Sequence, residues 1–416
     1  MKTNWPDGDT DFYRLADGEI INIKADGELN SQFYDYALKF KVAAHELTEY
    51  ILKEDDISKL DTYFFSLAFL YRHSLELILK AIGFKYITEH VDRIGFVKDT
   101  YHNLLVILET INPFIVDEIA KDIEGYNWLK NYLGDINLID KESDSFRYPF
   151  GIAVEKIEYR HKVVRKYSIK LIFDNQTHIN LVAFANKMEV AFGLLYTIYN
   201  EKFDSFHDYK KYKPIFLEQG GSYYGQSVVG YQYSSGEYYP YVKAYTESAE
   251  YLFNMMCKGK SLNDILFIPM CYLYRNAIEL ALKEILFQEC SLGFQESLKQ
   301  INKKKHKVEG LWNLVKSEIK EHSGVSEDDE TIRNAESYIK QLNYVDSSSD
   351  KFRYPTNDNL ELYFKTKQQF DIKNVNKFFA DLAYFLSAVN TMMSVQNELK
   401  AEMEAEYHSH MESYFE

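Results

Sequence analysis

Apolar residues recur at three- and four-residue steps along most of the chain, which is the period of a helix that buries one face. Between Asp61 and Tyr86 the chain is apolar on nearly every side, which predicts a central, buried helix. The same reasoning predicts further helices over residues 32–53, 102–112, 113–133, 178–200, 241–258, 262–290, 305–322, 329–344 and 372–405.

Short stretches that are rich in β-branched and aromatic residues predict a small amount of strand. Residues 152–157 and 167–173 are expected to form a β-hairpin. Residues 13–15 and 19–23 are expected to pair around an Asp-Gly turn. The stretch 92–100 is interpreted as a loop between helices.

One polar pattern occurs twice along the chain. Residues 71–80 read YRHSLELILK and residues 274–283 read YRNAIELALK, and each is followed by a histidine and then by F-R-Y-P. The paired positions, 203 to 206 residues apart, are Arg72 and Arg275, Glu76 and Glu279, Lys80 and Lys283, His102 and His306, Asp140 and Asp346, and Arg147 and Arg353. This spacing indicates an internal duplication.

The duplication predicts an all-α protein built from two tandem antiparallel helical bundles, related by an internal pseudo-two-fold, with small β-hairpin additions. The predicted organisation is unit one over residues 1–205, a connector with short strands over 206–237, and unit two over 238–416. With only 7 Pro and 18 Gly in 416 residues, the composition suits helices.

The net charge of −15 argues against a broad, non-specific nucleic-acid surface, although it leaves room for a small basic cleft. The three cysteines form no C-x-x-C pair, and the N-terminal residues contain no apolar signal segment. We therefore expect a cytoplasmic protein without membrane contact. The chain contains no GxxxxGK[ST], GxSxG, HExxH or paired-cysteine motif, so neither a cofactor nor a metal is predicted.

The repeated polar residues admit two interpretations. Arg72, Glu76 and Lys80 lie four residues apart on one side of an apolar helix, where charged groups need partners. Glu76 can reach Arg72 within the helix, and the F-R-Y-P arginine, Asp140 and Asp144 are further candidate partners. The set is either an ionic network that locks the F-R-Y-P loop onto the bundle, or an anion site where arginine, histidine and tyrosine converge on phosphate.

The ordered set Y-R-x-x-[LI]-E-L-x-L-K, histidine and D-x-x-S-D-x-F-R-Y-P resembles a group of bacterial proteins with HEPN-like helical domains. The resemblance covers both units and implies paired helical bundles with a composite cleft between them. Many HEPN proteins are metal-independent ribonucleases of defence and toxin–antitoxin systems, with an R-x4–6-H motif. None of the nine arginines here has a histidine at that spacing, so the family's catalytic pair has no counterpart in this sequence.

The resemblance predicts a defence- or toxin-type protein that acts on or senses RNA, with metal-independent ribonuclease activity left open. The alternatives are a non-catalytic module that binds a protein partner through its acidic surface or self-assembles, and a nucleotide sensor. A homo-oligomer is expected. The predicted catalytic residues are His102 and His306, with Arg147 and Arg353 holding phosphate. The predicted phosphate- or ligand-binding residues are Arg72, Arg275, Tyr148 and Tyr354. The predicted supporting residues are Glu76, Glu279, Lys80, Lys283, Asp140, Asp346, Asp144 and Asp350.

Overall fold

The structure is a computed structural model that describes residues 5–16, 18–25, 27–159, 162–201, 208–230, 236–326 and 328–415. Over these residues the protein is mostly helical, which confirms the predicted all-α class. The α-helices are α1 (Leu29–Lys53), α2 (Ile57–Tyr86), α3 (His90–Thr100), α4 (Leu104–Ile111), α5 (Val116–Lys121), α6 (Ile123–Asp140), α7 (Leu181–Asn200), α8 (Tyr239–Lys258), α9 (Asn263–Glu284), α10 (Phe294–Lys304), α11 (Val308–Ser323), α12 (Glu330–Val345) and α13 (Ile372–Phe415).

Six short strands form three antiparallel pairs within the described residues. The strands are β1 (Ile20–Ile23), β2 (Phe150–Tyr159), β3 (Lys162–Leu171), β4 (Thr177–Asn180), β5 (Gln226–Val229) and β6 (Gln368–Asp371). The predicted hairpin is confirmed as β2 and β3, which are longer than expected. Strands β4 and β5 join the end of the first half to the connector.

Two local predictions are wrong. Residues 92–100 belong to helix α3. The helix packs on α2 through Phe96, which contacts Gly83, but the sequence around Phe96 is mostly polar and shows no helical pattern of apolar residues. Strand β1 does not pair with residues 13–15. It pairs instead with β6, about 350 residues later in the chain, with Ile20 opposite Asp371. Asp17 of the predicted turn lies outside the described residues.

The helices of the two halves share one hydrophobic core. Helices α1 and α2 pack on each other and on α8 and α9, so the buried spines of both halves lie together. Aromatic rings cross between the halves, including Phe69 stacked on Tyr272 with ring centroids 4.7 Å apart. Ser66 and Ser248 add a buried hydrogen bond of 2.6 Å between hydroxyl oxygens. This close packing brings the F-R-Y-P loop of each half within reach of the other half's central helix.

Among the residues that the structure describes, three helical segments are long and apolar enough to cross a membrane, judged by length and composition alone. They are Leu181–Asn200, Lys260–Glu289 and Ile372–Ser409. The apolar window of the second is 94% buried inside the protein, and those of the other two are 61% and 50% buried. The expectations of a cytoplasmic location and of no membrane contact stay predictions.

Candidate functional site

Two clusters of buried polar residues lie on the central helices α2 and α9. Each helix contributes an arginine, a glutamate and a lysine at four-residue steps, which places the three side chains along one side of the helix. Each cluster also receives a histidine and a tyrosine from loops. Cluster one consists of Arg72, Glu76, Lys80, His102 and Tyr354, and cluster two consists of Arg275, Glu279, Lys283, His306 and Tyr148.

The carboxylate of Glu279 accepts four hydrogen-bond donors in cluster two. Its Oε2 accepts from Arg275 Nη1 at 3.1 Å. Its Oε1 accepts from Lys283 Nζ at 2.7 Å, from Tyr148 Oη at 2.9 Å and from His306 Nδ1 at 3.0 Å. A fully buried carboxylate with four donors is well satisfied, so removing it leaves several polar groups unpaired.

Cluster one repeats these contacts around Glu76. Its Oε2 is paired with Arg72, as the i, i+4 spacing predicts. Its Oε1 accepts from Tyr354 Oη at 2.7 Å, from Lys80 Nζ at 2.8 Å and from His102 Nδ1 at 2.9 Å. The two clusters therefore have the same connectivity, atom for atom, around the glutamate.

The tyrosines are exchanged between the halves of the chain. Tyr148 follows α6 in the first half but bonds to Glu279 and His306, and Tyr354 follows α12 but bonds to Glu76 and His102. The two tyrosines bond to glutamates 131 and 278 residues away in sequence. Each cluster is therefore incomplete without a residue from the other half of the chain.

The two histidines are held by matching loop conformations. The residue before each histidine has a positive φ, 44° at Tyr101 and 52° at Lys305, which is unusual for residues other than glycine. In each loop the histidine's backbone carbonyl accepts from the arginine of the central helix, and the Arg275 Nη2 bond to the His306 carbonyl is 2.6 Å long. The arginine thus fixes the position of the histidine.

The F-R-Y-P arginines support the tyrosines. Arg147 Nη2 donates to Tyr148 Oη at 2.9 Å, and Arg353 Nη2 donates to Tyr354 Oη at 3.2 Å. Only 2% of Arg147 and 3% of Arg353 is exposed, and the arginines of the two central helices are fully buried. The prediction that these four arginines contact phosphate directly is contradicted, because an anion from solvent cannot reach a buried guanidinium.

The predicted aspartates contact the F-R-Y-P loops and the arginines, whereas the glutamates form the centres of the two clusters. Asp140 Oδ2 lies 3.2 Å from Arg72 Nε, and Asp140 Oδ1 accepts from the backbone N–H of Ser145 at 2.9 Å. Asp346 Oδ1 accepts from the backbone N–H groups at the start of the second F-R-Y-P loop, Asp350 and Lys351. Asp144 and Asp350 form ion pairs with Arg147 and Arg353 at 3.4 Å and 3.8 Å.

The protonation states follow from the charges around each glutamate. Burial alone would raise the pKa of Glu279, but the charges of Lys283 and Arg275 and the hydrogen bond from His306 outweigh burial and hold it well below 4.5. The pKa of Glu76 is lowered in the same way, against burial, by Lys80, His102 and Arg72. Burial raises the pKa of the Tyr148 and Tyr354 hydroxyls well above 10. The glutamates are therefore ionised and the tyrosines protonated at neutral pH.

The histidines are neutral at neutral pH. Burial lowers the pKa of His102 below 6.5 in spite of Glu76. For His306 the attraction of Glu279 is the largest influence and favours charge, but burial, Arg147 and Lys283 together bring the pKa below 6.5. The ionised glutamate can only accept a hydrogen bond, so Nδ1 of each histidine must be the donor. We therefore assign the ring proton to Nδ1. This tautomer leaves Nε2 with a free lone pair, the form required of a general base.

A cavity of about 820 Å³ borders cluster two. It is lined by Tyr148, Lys283 and His306 of the cluster, and the His306 side chain is 35% exposed. Lys141, Lys170 and Lys305 also line it. Among the described residues, Nε2 of His306 makes no hydrogen bond. The lining also contains three acidic residues, Asp140, Glu142 and Asp144. A ligand in the cavity would therefore meet a neutral, anchored imidazole among both lysine and carboxylate side chains.

Of the lysines that line this cavity, Lys283 was predicted from the sequence, whereas Lys141, Lys170 and Lys305 were not. His306 lies in the run Lys303-Lys304-Lys305-His306-Lys307, whereas His102 follows Lys98-Asp99-Thr100-Tyr101. The charge run was visible in the sequence as a local excess of lysine. Its position beside a cavity could not be predicted, because the chain as a whole has a net negative charge and because Lys170 of strand β3 lies far away in the sequence.

Comparisons with known proteins give no independent assignment. No protein-family model matches the chain, and no curated protein or solved structure matches it significantly. Within the described residues, no group of three His, Cys, Asp or Glu side chains is placed to hold a metal ion. The predictions of no metal and no cofactor stay predictions.

Proposed function

We propose that this chain is a HEPN-like protein of the bacterial defence or toxin type, and that cluster two acts on RNA without a metal. The observation that carries the proposal is the setting of His306. Its Nδ1 is anchored by Glu279 and Tyr148, and its ring borders a lysine-lined cavity. An acid–base group that is oriented by a carboxylate and faces a pocket with exposed lysines suits phosphodiester chemistry.

In the proposed reaction, Nε2 of His306 removes the proton from a ribose 2′-hydroxyl. The 2′-oxygen then forms a bond to the adjacent phosphorus, the bond from phosphorus to the 5′-oxygen breaks, and the 5′-oxygen takes a proton from water. The products are a 2′,3′-cyclic phosphate and a 5′-hydroxyl. The exposed lysines Lys170 and Lys305 offset the charge on the phosphate, and Glu279 and Tyr148 act as positioning residues.

Cleavage of a labelled single-stranded RNA in the presence of EDTA tests the proposal. His306→Ala is expected to slow cleavage by about 10²- to 10⁴-fold, the usual contribution of one acid–base group. His102→Ala is the matched control, because it removes the equivalent ring from cluster one and is expected to retain most of the activity. Equal cleavage by the wild-type protein and His306→Ala would remove this histidine from the mechanism.

A nucleotide sensor is the second candidate, and the cavity volume favours it. About 820 Å³ lies within the range of pockets that enclose a single small ligand. A sensor would bind a nucleotide at cluster two without consuming it. Calorimetric titration with nucleoside mono- and triphosphates, followed by analysis of the recovered ligand, separates the two candidates: intact ligand with saturable binding favours the sensor.

A further inference from the structure

The β2–β3 hairpin is a basic element in an acidic protein. Residues 150–171 contain four Lys and two Arg against two Glu, while the whole chain has a net charge of −15. Most of its described side chains are exposed on both faces, so the hairpin is a two-stranded ribbon with few packing partners. The described charged side chains of the hairpin are therefore exposed and belong to neither buried cluster.

The register of the ribbon places its cations in two groups. Lys170 pairs with Gly151 and lines the cavity beside His306. Lys166 lies four residues away on the same face, about 13 Å further out and directly across from Glu155. On the opposite face Lys156 is directly across from Arg165. Like charges opposite each other destabilise a strand pair, so this position favours a bound anion.

Two hydrogen bonds hold the ribbon close to the lysines that flank His306 in the sequence. The side chain of Gln295, on α10, accepts from the backbone N–H of Tyr167 at 2.8 Å and donates to its carbonyl at 2.7 Å. Helix α10 ends at Lys304, and Lys303, Lys305 and Lys307 are exposed. Ribbon, lysine run and cavity therefore form neighbouring parts of one basic surface.

We propose that strands β2 and β3 and the exposed lysines Lys303, Lys305 and Lys307 form a track that binds single-stranded RNA and leads it into the cavity at His306. This inference rests on the proposed function and names its substrate. Charge complementarity favours a polyphosphate chain. The cavity volume favours an unpaired strand, because a pocket of this size encloses a small ligand and not a duplex.

The test measures binding of a fluorescent oligouridine to the full chain carrying His306→Ala, so that cleavage cannot interfere. Two variants are compared in that background, Lys303→Gln/Lys305→Gln/Lys307→Gln and Lys166→Gln/Lys170→Gln. Each is expected to weaken binding at least tenfold, and the slope of log affinity against log salt should fall by about 0.7 for each lost phosphate contact. The matched control, Lys98→Gln/Lys365→Gln/Lys367→Gln, removes three exposed lysines from the cluster-one side and should leave binding unchanged.

Each outcome decides the proposal. Unchanged affinity in the track variants, absence of oligouridine binding, or tighter binding of a duplex of equal length would overturn it. If the wild-type protein cleaves RNA while the track variants bind normally, the track fails and the proposed function stands. If the track variants lose binding but the wild-type protein never cleaves RNA, the cleavage proposal fails and the track stands.

Discussion

Clusters one and two share nearly every hydrogen bond but differ in what surrounds them. The cavity of about 820 Å³ includes Tyr148, Lys283 and His306 of cluster two and does not include their counterparts in cluster one. The F-R-Y-P loop that supplies Tyr148 continues into the basic β2–β3 ribbon. The loop that supplies Tyr354 continues into a short turn closed by a bridge between Thr356 and Leu362.

The comparison separates structural from functional roles. The same hydrogen-bond network is present in both clusters although their surroundings differ, which indicates a structural role. It fixes the histidine loops and holds each F-R-Y-P loop against the opposite half of the chain. The lysines that line the cavity beside His306 are the difference on which the proposed ligand binding rests. The shared network therefore provides two anchored histidines of similar exposure, and their surroundings distinguish them.

The largest expected effect comes from removing either buried carboxylate. Glu76→Gln and Glu279→Gln each remove a carboxylate that pairs with a buried arginine and a buried lysine, and should each destabilise the protein by about 3–5 kcal/mol. Urea unfolding measures the change, with the exposed Glu402→Gln on α13 as the control. If one of the two variants were as stable as the control, the clusters would not be structurally equivalent.

Acid should weaken both clusters together. His102 and His306 have folded-state pKa values below 6.5, so the unfolded chain binds more protons and stability falls as the pH drops below 6.5. The loss should steepen below pH 4.5, where the unfolded glutamates take up protons that Glu76 and Glu279 still refuse. Below pH 4.5, thermal melts should show a flatter pH dependence for Glu279→Gln than for the wild-type protein, because the variant has lost one of the two carboxylates with a lowered pKa. Parallel curves in this range would contradict the assignment.

Removing the exchanged hydroxyls should have a smaller effect. Tyr148→Phe and Tyr354→Phe keep the rings but delete the bonds to glutamate and histidine, at an expected cost of about 1–3 kcal/mol each. Tyr239→Phe, an exposed tyrosine on α8, is the matched control. Only Tyr148→Phe should also lower the rate of RNA cleavage, since it alone touches His306. Equal rates for the two variants would count against the functional asymmetry.

The smallest expected effect lies at the position of the repeated decapeptides where the two central helices carry different polar side chains, His73 and Asn276. His73 Nε2 lies 3.0 Å from the carbonyl oxygen of Arg353, whereas neither polar atom of the buried Asn276 side chain has a partner among the described residues. Asn276→Leu should therefore be neutral or stabilise by about 1 kcal/mol, and His73→Leu should destabilise. Calorimetric melting temperatures check the sign, and a destabilising Asn276→Leu would point to an unseen partner.

The sequence allowed the central helices, the hairpin and the polar repeat to be predicted, because each has a local signature. The four-residue spacing of Arg72, Glu76 and Lys80 predicts their ion pairs, which the structure contains. Helix α3 was missed because its buried contacts are few and its sequence is polar. The pairing of β1 with β6 was missed because strand partners distant in sequence leave no local pattern.

The sequence by itself determined that the chain is helical, that it carries one polar motif twice, and that each motif lies on a buried spine. Only the tertiary structure decided that each tyrosine completes the opposite cluster and that the arginines are buried. It also decided that His306, and not His102, borders the lysine-lined cavity. The physical reason is that the periodicity of a helix reflects only which residues, three or four positions apart, share one face of that helix. The partners of a buried carboxylate and the charges around a cavity come from elements far apart in the chain, which only packing brings together.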